Sequence, residues 1–169
     1  MQRHILITGA VGAGKSTLIR RLLEGCTRPV YGFLTEKRAE DGAVYIHRAG
    51  TAERAYEDAN RIGMAGRMAR EINLEAFNAI GAGYLSAKPE GIIVMDELGF
   101  MESGAGEFKR AVLSALDGDI PVIAAVKARQ GVAFLEEVRA HPEAELYCVT
   151  PENREALYCE LIDKITGII

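Results

Sequence analysis

Gly9-Ala10-Val11-Gly12-Ala13-Gly14-Lys15-Ser16-Thr17 decides how this chain is read. It matches the pattern G-x-x-x-x-G-K-S/T in full, a loop that cradles phosphate. A short apolar run, residues 5–8, precedes it, and a helical pattern over 16–24 follows, so motif and context agree on strand, loop and helix. Glycines let the backbone take positive φ and turn its N–H groups inward around an anion. The N-terminus of the following helix adds partial positive charge. Gly9, Ala10, Val11, Gly12, Ala13, Gly14, Lys15, Ser16 and Thr17 are therefore the candidate nucleotide-binding residues. Lys15 can reach the β and γ phosphates, and the Ser16 hydroxyl is a hard oxygen ligand for Mg²⁺. The loop specifies triphosphate handling and leaves the base and the reaction open.

Outward from the loop, apolar runs recur at 30–35, 91–96, 121–126 and 146–150. Several are too continuous for a half-exposed strand and suit a parallel sheet covered on both faces. Residues 43–48 alternate apolar and polar after the turn-like Glu40-Asp41-Gly42, which makes them a candidate hairpin partner for the second strand. Helical patterns fall between the runs, at 74–85, 106–116, 132–139 and 151–165, the last with Thr150 as N-cap and Pro151 at its first position. The alternation predicts one α/β domain over 1–169: a three-layer P-loop sandwich around a mostly parallel five-stranded sheet, with one candidate added hairpin strand. Residues 54–72 are polar, contain Gly63 and Gly66, and read as a flap over a site.

The run at 91–96 ends in the pair Asp96-Glu97. Beside a phosphate loop, an acid at the end of such a strand holds Mg²⁺, often through water; Asp96 takes that role. Glu97 is placed to orient or deprotonate an attacking water, since carboxylates serve as general bases. The second acid favours hydrolysis over transfer, and the pair favours the division of such folds in which another strand lies between the loop strand and the acidic strand. Lys15 and Glu97 are the candidate catalytic residues, with Ser16 and Asp96 as candidate metal ligands.

Composition narrows the partners. The chain has 169 residues, 49% of them apolar and 26% charged, with a net charge of −4, which argues against disorder and against a global basic surface for nucleic acid or anionic membrane. No uncharged stretch approaches the roughly 18–20 apolar residues of a membrane span. The N-terminus leads into a strand-like run rather than a signal peptide. Cys26, Cys148 and Cys159 form no pairing pattern and read as free thiols. A cytoplasmic protein is expected, and nothing specifies a protein partner.

Four stretches taken in order resemble a family of small nucleoside-triphosphatases that includes a hyperthermophile enzyme and a human cancer-related one. They are the phosphate loop, Gly32-Phe33-Leu34-Thr35-Glu36-Lys37-Arg38, Asp96-Glu97-Leu98-Gly99-Phe100-Met101-Glu102, and Val149-Thr150-Pro151-Glu152-Asn153-Arg154. The resemblance implies a RecA-like sandwich that hydrolyses nucleoside triphosphates, ATP and GTP among them, to diphosphates with Mg²⁺ and broad base tolerance. It implies Glu97 as the base and Met101-Glu102 as shaping the loop beyond it. The middle third departs from the family pattern: Asp41 to Ile46 replaces an Arg-x-Gly-Phe stretch, and Gly66-Arg67-Met68 only echoes a Gly-x-Tyr segment.

Further candidates sit at the carboxyl ends of the strands, where ligands of such sheets bind. Thr35 and Glu36 are candidates to position metal or water, and Arg38 to stabilise γ-phosphate charge. Lys127 and Arg129 follow the fourth run and are candidates for phosphate or base. Asn153 can read a base edge, and Arg154 can stack on the base or pair with phosphate. Two alternatives stand beside hydrolysis. One is a small-molecule or nucleotide kinase, for which Arg54, Arg61, Arg67 and Arg70 are the only lid candidates. The other is a slow nucleotide-dependent switch.

Overall fold

The computed structural model describes residues 3–64 and 71–168. Among them, seven strands form one sheet: β1 (His4–Thr8), β2 (Val30–Lys37), β3 (Ala43–Arg48), β4 (Arg61–Met64), β5 (Ile92–Leu98), β6 (Val122–Val126) and β7 (Ala144–Cys148). Their spatial order is β4-β3-β2-β5-β6-β1-β7. The five strands from β2 to β7 in that order pair in parallel, while β3 and β4 add an antiparallel edge beyond β2. Strand β6 lies between β1, which carries the phosphate loop, and β5, which carries the acidic pair. This is the expected α/β P-loop architecture of the RecA-like division.

Alternation along each strand explains why the runs are apolar throughout. Ile5 and Ile7 of β1, Ile92 and Val94 of β5, and Ile123 and Ala125 of β6 join a core with Leu18, Ile19 and Leu22 of α1 (Lys15–Leu23) and Leu157 and Leu161 of α5 (Arg154–Ile168). Their neighbours Leu6, Ile93, Met95, Val122, Ala124 and Val126 face the opposite way, into a second core. That core is closed by Phe108, Val112 and Leu116 of α3 (Gly106–Asp117) and by Phe134, Leu135 and Val138 of α4 (Ala133–Arg139). Among the described residues, no helix is long and apolar enough to cross a membrane.

Several boundaries differ from expectation. Strand β4 adds a seventh strand from within the stretch read as a flap. Its four residues, Arg-Ile-Gly-Met, are too few for a period to show, and it is held by pairing to β3. The Gly66-Arg67-Met68 echo and the lid candidates Arg67 and Arg70 lie outside the described residues. Strand β7 runs from Ala144 rather than 146, because its register is set by β1, from His4 against Ala144 to Thr8 against Cys148. The final helix is regular only from Arg154. Thr150 still caps it, its hydroxyl accepting the Asn153 N–H at 3.2 Å and its carbonyl the Arg154 N–H at 3.1 Å, so residues 151–153 form a separate first turn.

The helix expected over 74–85 is present, but its middle, Ala76–Gly81, is π-helical and runs into the short α2 (Ala82–Tyr84). Its Asn78 carboxamide oxygen accepts the N–H groups of Glu107 and Phe108, at 3.0 and 3.1 Å. Helix α3 has no cap of its own, so a residue from another element satisfies its first donors.

Candidate active site

The site forms where the sheet's carboxyl edge meets the first turn of α1. The loop after β1 turns back with φ of +78° at Gly12 and +101° at Gly14, the residue immediately before the helix. A side chain at Gly14 would be strained by that φ and would also meet Arg154, whose guanidinium Nη1 lies 2.8 Å from where a Cβ would stand. Helix α1 begins without a side-chain cap, which leaves its first N–H groups for an incoming anion. The resulting cleft holds about 320 Å³ and is lined by Gly12, Gly14, Lys15, Ser16, Thr35, Asp96 and Glu97, among others.

Within the cleft the charged groups hold one another. The buried Lys15 ammonium donates to the carbonyls of Gly9 and Ala10, at 3.1 and 3.2 Å, and lies 3.6 Å from the Glu97 carboxylate. Ser16 donates its hydroxyl to Asp96 at 2.8 Å. Burial pushes the Asp96 carboxyl above the usual carboxylate range; the Ser16 hydroxyl opposes this, and the adjacent Glu97 adds to it. Ser16 and Asp96 thus put a hydroxyl and a carboxylate oxygen side by side, which is the donor chemistry of a hard divalent cation. Among the described residues no cluster of three His, Cys, Asp or Glu side chains could hold a metal alone. A cation here would complete its shell from phosphate and water.

Thr35, at the carboxyl end of β2, straddles the acidic pair. Its hydroxyl donates to the Asp96 carbonyl and accepts the Glu97 N–H, both at 3.2 Å. The Asp96–Glu97 peptide is cis. Glu97 is about a quarter exposed, and its second oxygen lies 3.5 Å from the Lys127 ammonium. The loop carrying Lys127 is pinned from α4, because the Arg139 guanidinium donates to the carbonyls of Lys127 and Arg129, at 2.7 and 3.2 Å. Arg139 carries no local sequence signal; only the fold brings it there.

The remaining candidates divide. Arg154 lies over Gly14 at the rim of the loop. Asn153 sits beside it, with its carboxamide committed to the loop backbone: it accepts from Thr150 N–H at 2.8 Å and donates to the Cys148 carbonyl at 2.9 Å. Arg129 stacks on Phe100, 4.4 Å from the ring centre, rather than joining the cleft lining. Glu36 accepts the Tyr56 hydroxyl at 2.9 Å and faces Arg54 at 3.8 Å. Arg38 pairs with Glu40 at 3.3 Å and lies over the Tyr56 ring. Glu36 and Arg38 are thus engaged with the hairpin side.

Beyond the pair, Glu102 is 3% exposed and accepts the Gly99 N–H. Burial pushes its carboxyl up to about 7, against the Gly99 N–H and the Lys127 charge, which favour the ionised form. It ties down the turn that follows β5.

The sequence profile of the NTPase family matches residues 4–162 of this chain. The chain belongs to the NTPase family. The nucleoside-triphosphatase THEP1 of Methanothermobacter thermautotrophicus is 31% identical over 94% of each chain. The human cancer-related nucleoside-triphosphatase is 27% identical over 96% of each. The crystal structure of THEP1 from Aquifex aeolicus superposes with a TM-score of 0.76 at 25% identity, over 94% of this chain and 96% of that one. The solution structure of the human protein gives 0.71 at 26% identity, over 98% of each. Family membership places the protein among the nucleoside-triphosphate hydrolases, and the likeness runs through the middle third, where local motifs fade.

Proposed function

We propose that this protein binds a nucleoside triphosphate, ATP or GTP among others, together with Mg²⁺, and hydrolyses it to the diphosphate and phosphate. The observation that carries this reading is the position of Glu97. It stands at the wall of the phosphate cleft between Lys15 and Lys127, with its backbone held by Thr35. An acid held so firmly beside the place of the γ-phosphate is suited to take a proton from an attacking water.

On this reading Lys15 leaves the loop carbonyls for β- and γ-phosphate oxygens. Ser16 and Asp96 would hold Mg²⁺, which would supply positive charge against the triphosphate. Glu97 accepts the water proton as the water oxygen bonds to the γ-phosphorus. The bond to the β-phosphate oxygen breaks, and the diphosphate leaves with that electron pair. Lys127, 3.5 Å from Glu97 and outside the lining of the phosphate cleft, holds the base in place from behind. Arg154 lies where a base or α-phosphate would reach the rim. Its guanidinium can stack on any base, while Asn153 is taken up by its own loop, an arrangement that supports broad base tolerance.

The test is phosphate release from ATP, GTP, CTP and UTP, with Mg²⁺ and with the metal chelated. Release from all four is expected, lost on chelation and lowered roughly 100-fold or more in Lys15→Ala. Metal-independent release, or a Lys15→Ala rate within threefold of the parent, would overturn it.

A further inference from the structure

A second cavity, of about 320 Å³, lies on the other side of Glu97 from the phosphate loop. It shares Thr35 and Glu97 with the triphosphate cleft, and no residue of the phosphate loop lines it. Val44, Ile62, Phe77, Phe100 and Met101 make its apolar walls. Its polar lining carries Lys37 and Lys127 together with the carboxyls of Glu97 and Glu102. Lys127 is paired with Glu97, whereas Lys37 is exposed and makes no ion pair among the described residues. The volume lies at the lower end of the range for small-molecule sites, and apolar walls with a few converging polar groups are their usual character.

Activating a water does not require such a room. The base at its entrance suits a second nucleophile larger than water, and the uncompensated Lys37 suits a negative charge on it. We infer that this cavity takes a phosphoryl acceptor: a small ring-bearing organic acid whose hydroxyl meets Glu97 and whose carboxylate or phosphate meets Lys37. The inference rests on Glu97 acting as the base, as proposed above. In the step, the Glu97 carboxylate accepts the hydroxyl proton as the acceptor oxygen bonds to the γ-phosphorus. The bond between the γ-phosphorus and the β-phosphate oxygen breaks. A phosphomonoester and a nucleoside diphosphate result, and the proton passes from Glu97 to solvent. Without acceptor, water takes the same position and hydrolysis follows.

The experiment incubates the protein with Mg²⁺, γ-labelled ATP and a panel of hydroxylated aromatic and heterocyclic acids, 4-hydroxybenzoate and 3-hydroxypicolinate among them. Labelled phosphomonoester and labelled phosphate are resolved in the same sample. The expected result is an ester from at least one acid, with the ester-to-phosphate ratio falling at least tenfold in Lys37→Glu, an exposed position where the change does not threaten folding. Phosphate release with no ester from any acid overturns the acceptor site and leaves the hydrolase standing. An ester whose ratio is unmoved by Lys37→Glu overturns the placement. Neither product, with ATP still bound, overturns the Glu97 reading and this inference together.

Discussion

Glu97→Gln should bind nucleoside triphosphate as well as the parent, or better, and turn it over roughly 10²–10⁴ times more slowly. Glutamine has the shape of glutamate and can keep the backbone bond to Thr35, so the cleft is preserved. It cannot accept a proton at neutral pH. The change also removes a negative charge 3.6 Å from the Lys15 ammonium and 3.5 Å from that of Lys127, which frees both cations for the triphosphate. Binding by a fluorescent nucleotide and single-turnover phosphate release separate the two effects. A rate within fivefold of the parent would remove Glu97 from the base role. Weakened binding with an unchanged rate would make it a binding residue instead.

Gly32→Ala should unfold the protein at a markedly lower temperature. Gly32 lies within β2, opposite Val94 of β5, with φ +102°, and a Cβ there would stand 1.9 Å from the Val94 carbonyl oxygen. Neither the left-handed backbone nor that contact tolerates a methyl group, so β2 would have to move off β5. Strain of this kind costs about 3 kcal/mol or more, or roughly 6–12 °C in Tm for a domain of this size. The displacement would also draw Thr35 away from Asp96 and Glu97, so activity should fall with stability. Thermal unfolding followed by circular dichroism reads the first effect; a shift under about 2 °C would show that the strands yield freely.

The parts of this fold that could be read from sequence are those whose causes are local. The phosphate loop is a contiguous run in which each residue type answers to one anion. The strands are apolar on both faces because helices cover both, and that pattern survives in a single chain segment. The acidic pair is legible because it ends such a strand. What escaped depends on distant partners. Strand β4 is four residues held by β3. The helix around 76–81 shows in its periodicity, but not its π winding, nor that its Asn78 caps a helix about thirty residues further on.

The site divides in the same way. Charge placement at strand ends offered Glu36, Arg38, Lys127 and Arg129, but Arg38, Lys127 and Arg129 lie past the last residue of their strands, where strand alternation no longer sets a side chain's direction. Lys127 turns toward Glu97, whereas Arg38 is taken by Glu40 and Tyr56, and Glu36 by Tyr56 and Arg54. Thr35 could be placed near the candidate metal ligands from its position, but its double hold on the Asp96–Glu97 backbone follows from the register of β2 on β5. Arg139, which fixes the Lys127 loop, gives no sign in sequence because its acceptors are backbone carbonyls.

Oxygen labelling reads directly whether a water set beside Glu97 attacks the γ-phosphorus. A single turnover of ATP with Mg²⁺ in water enriched in ¹⁸O should place one solvent oxygen in the released phosphate and none in ADP. Label in the diphosphate, or phosphate released without solvent oxygen, would contradict the account.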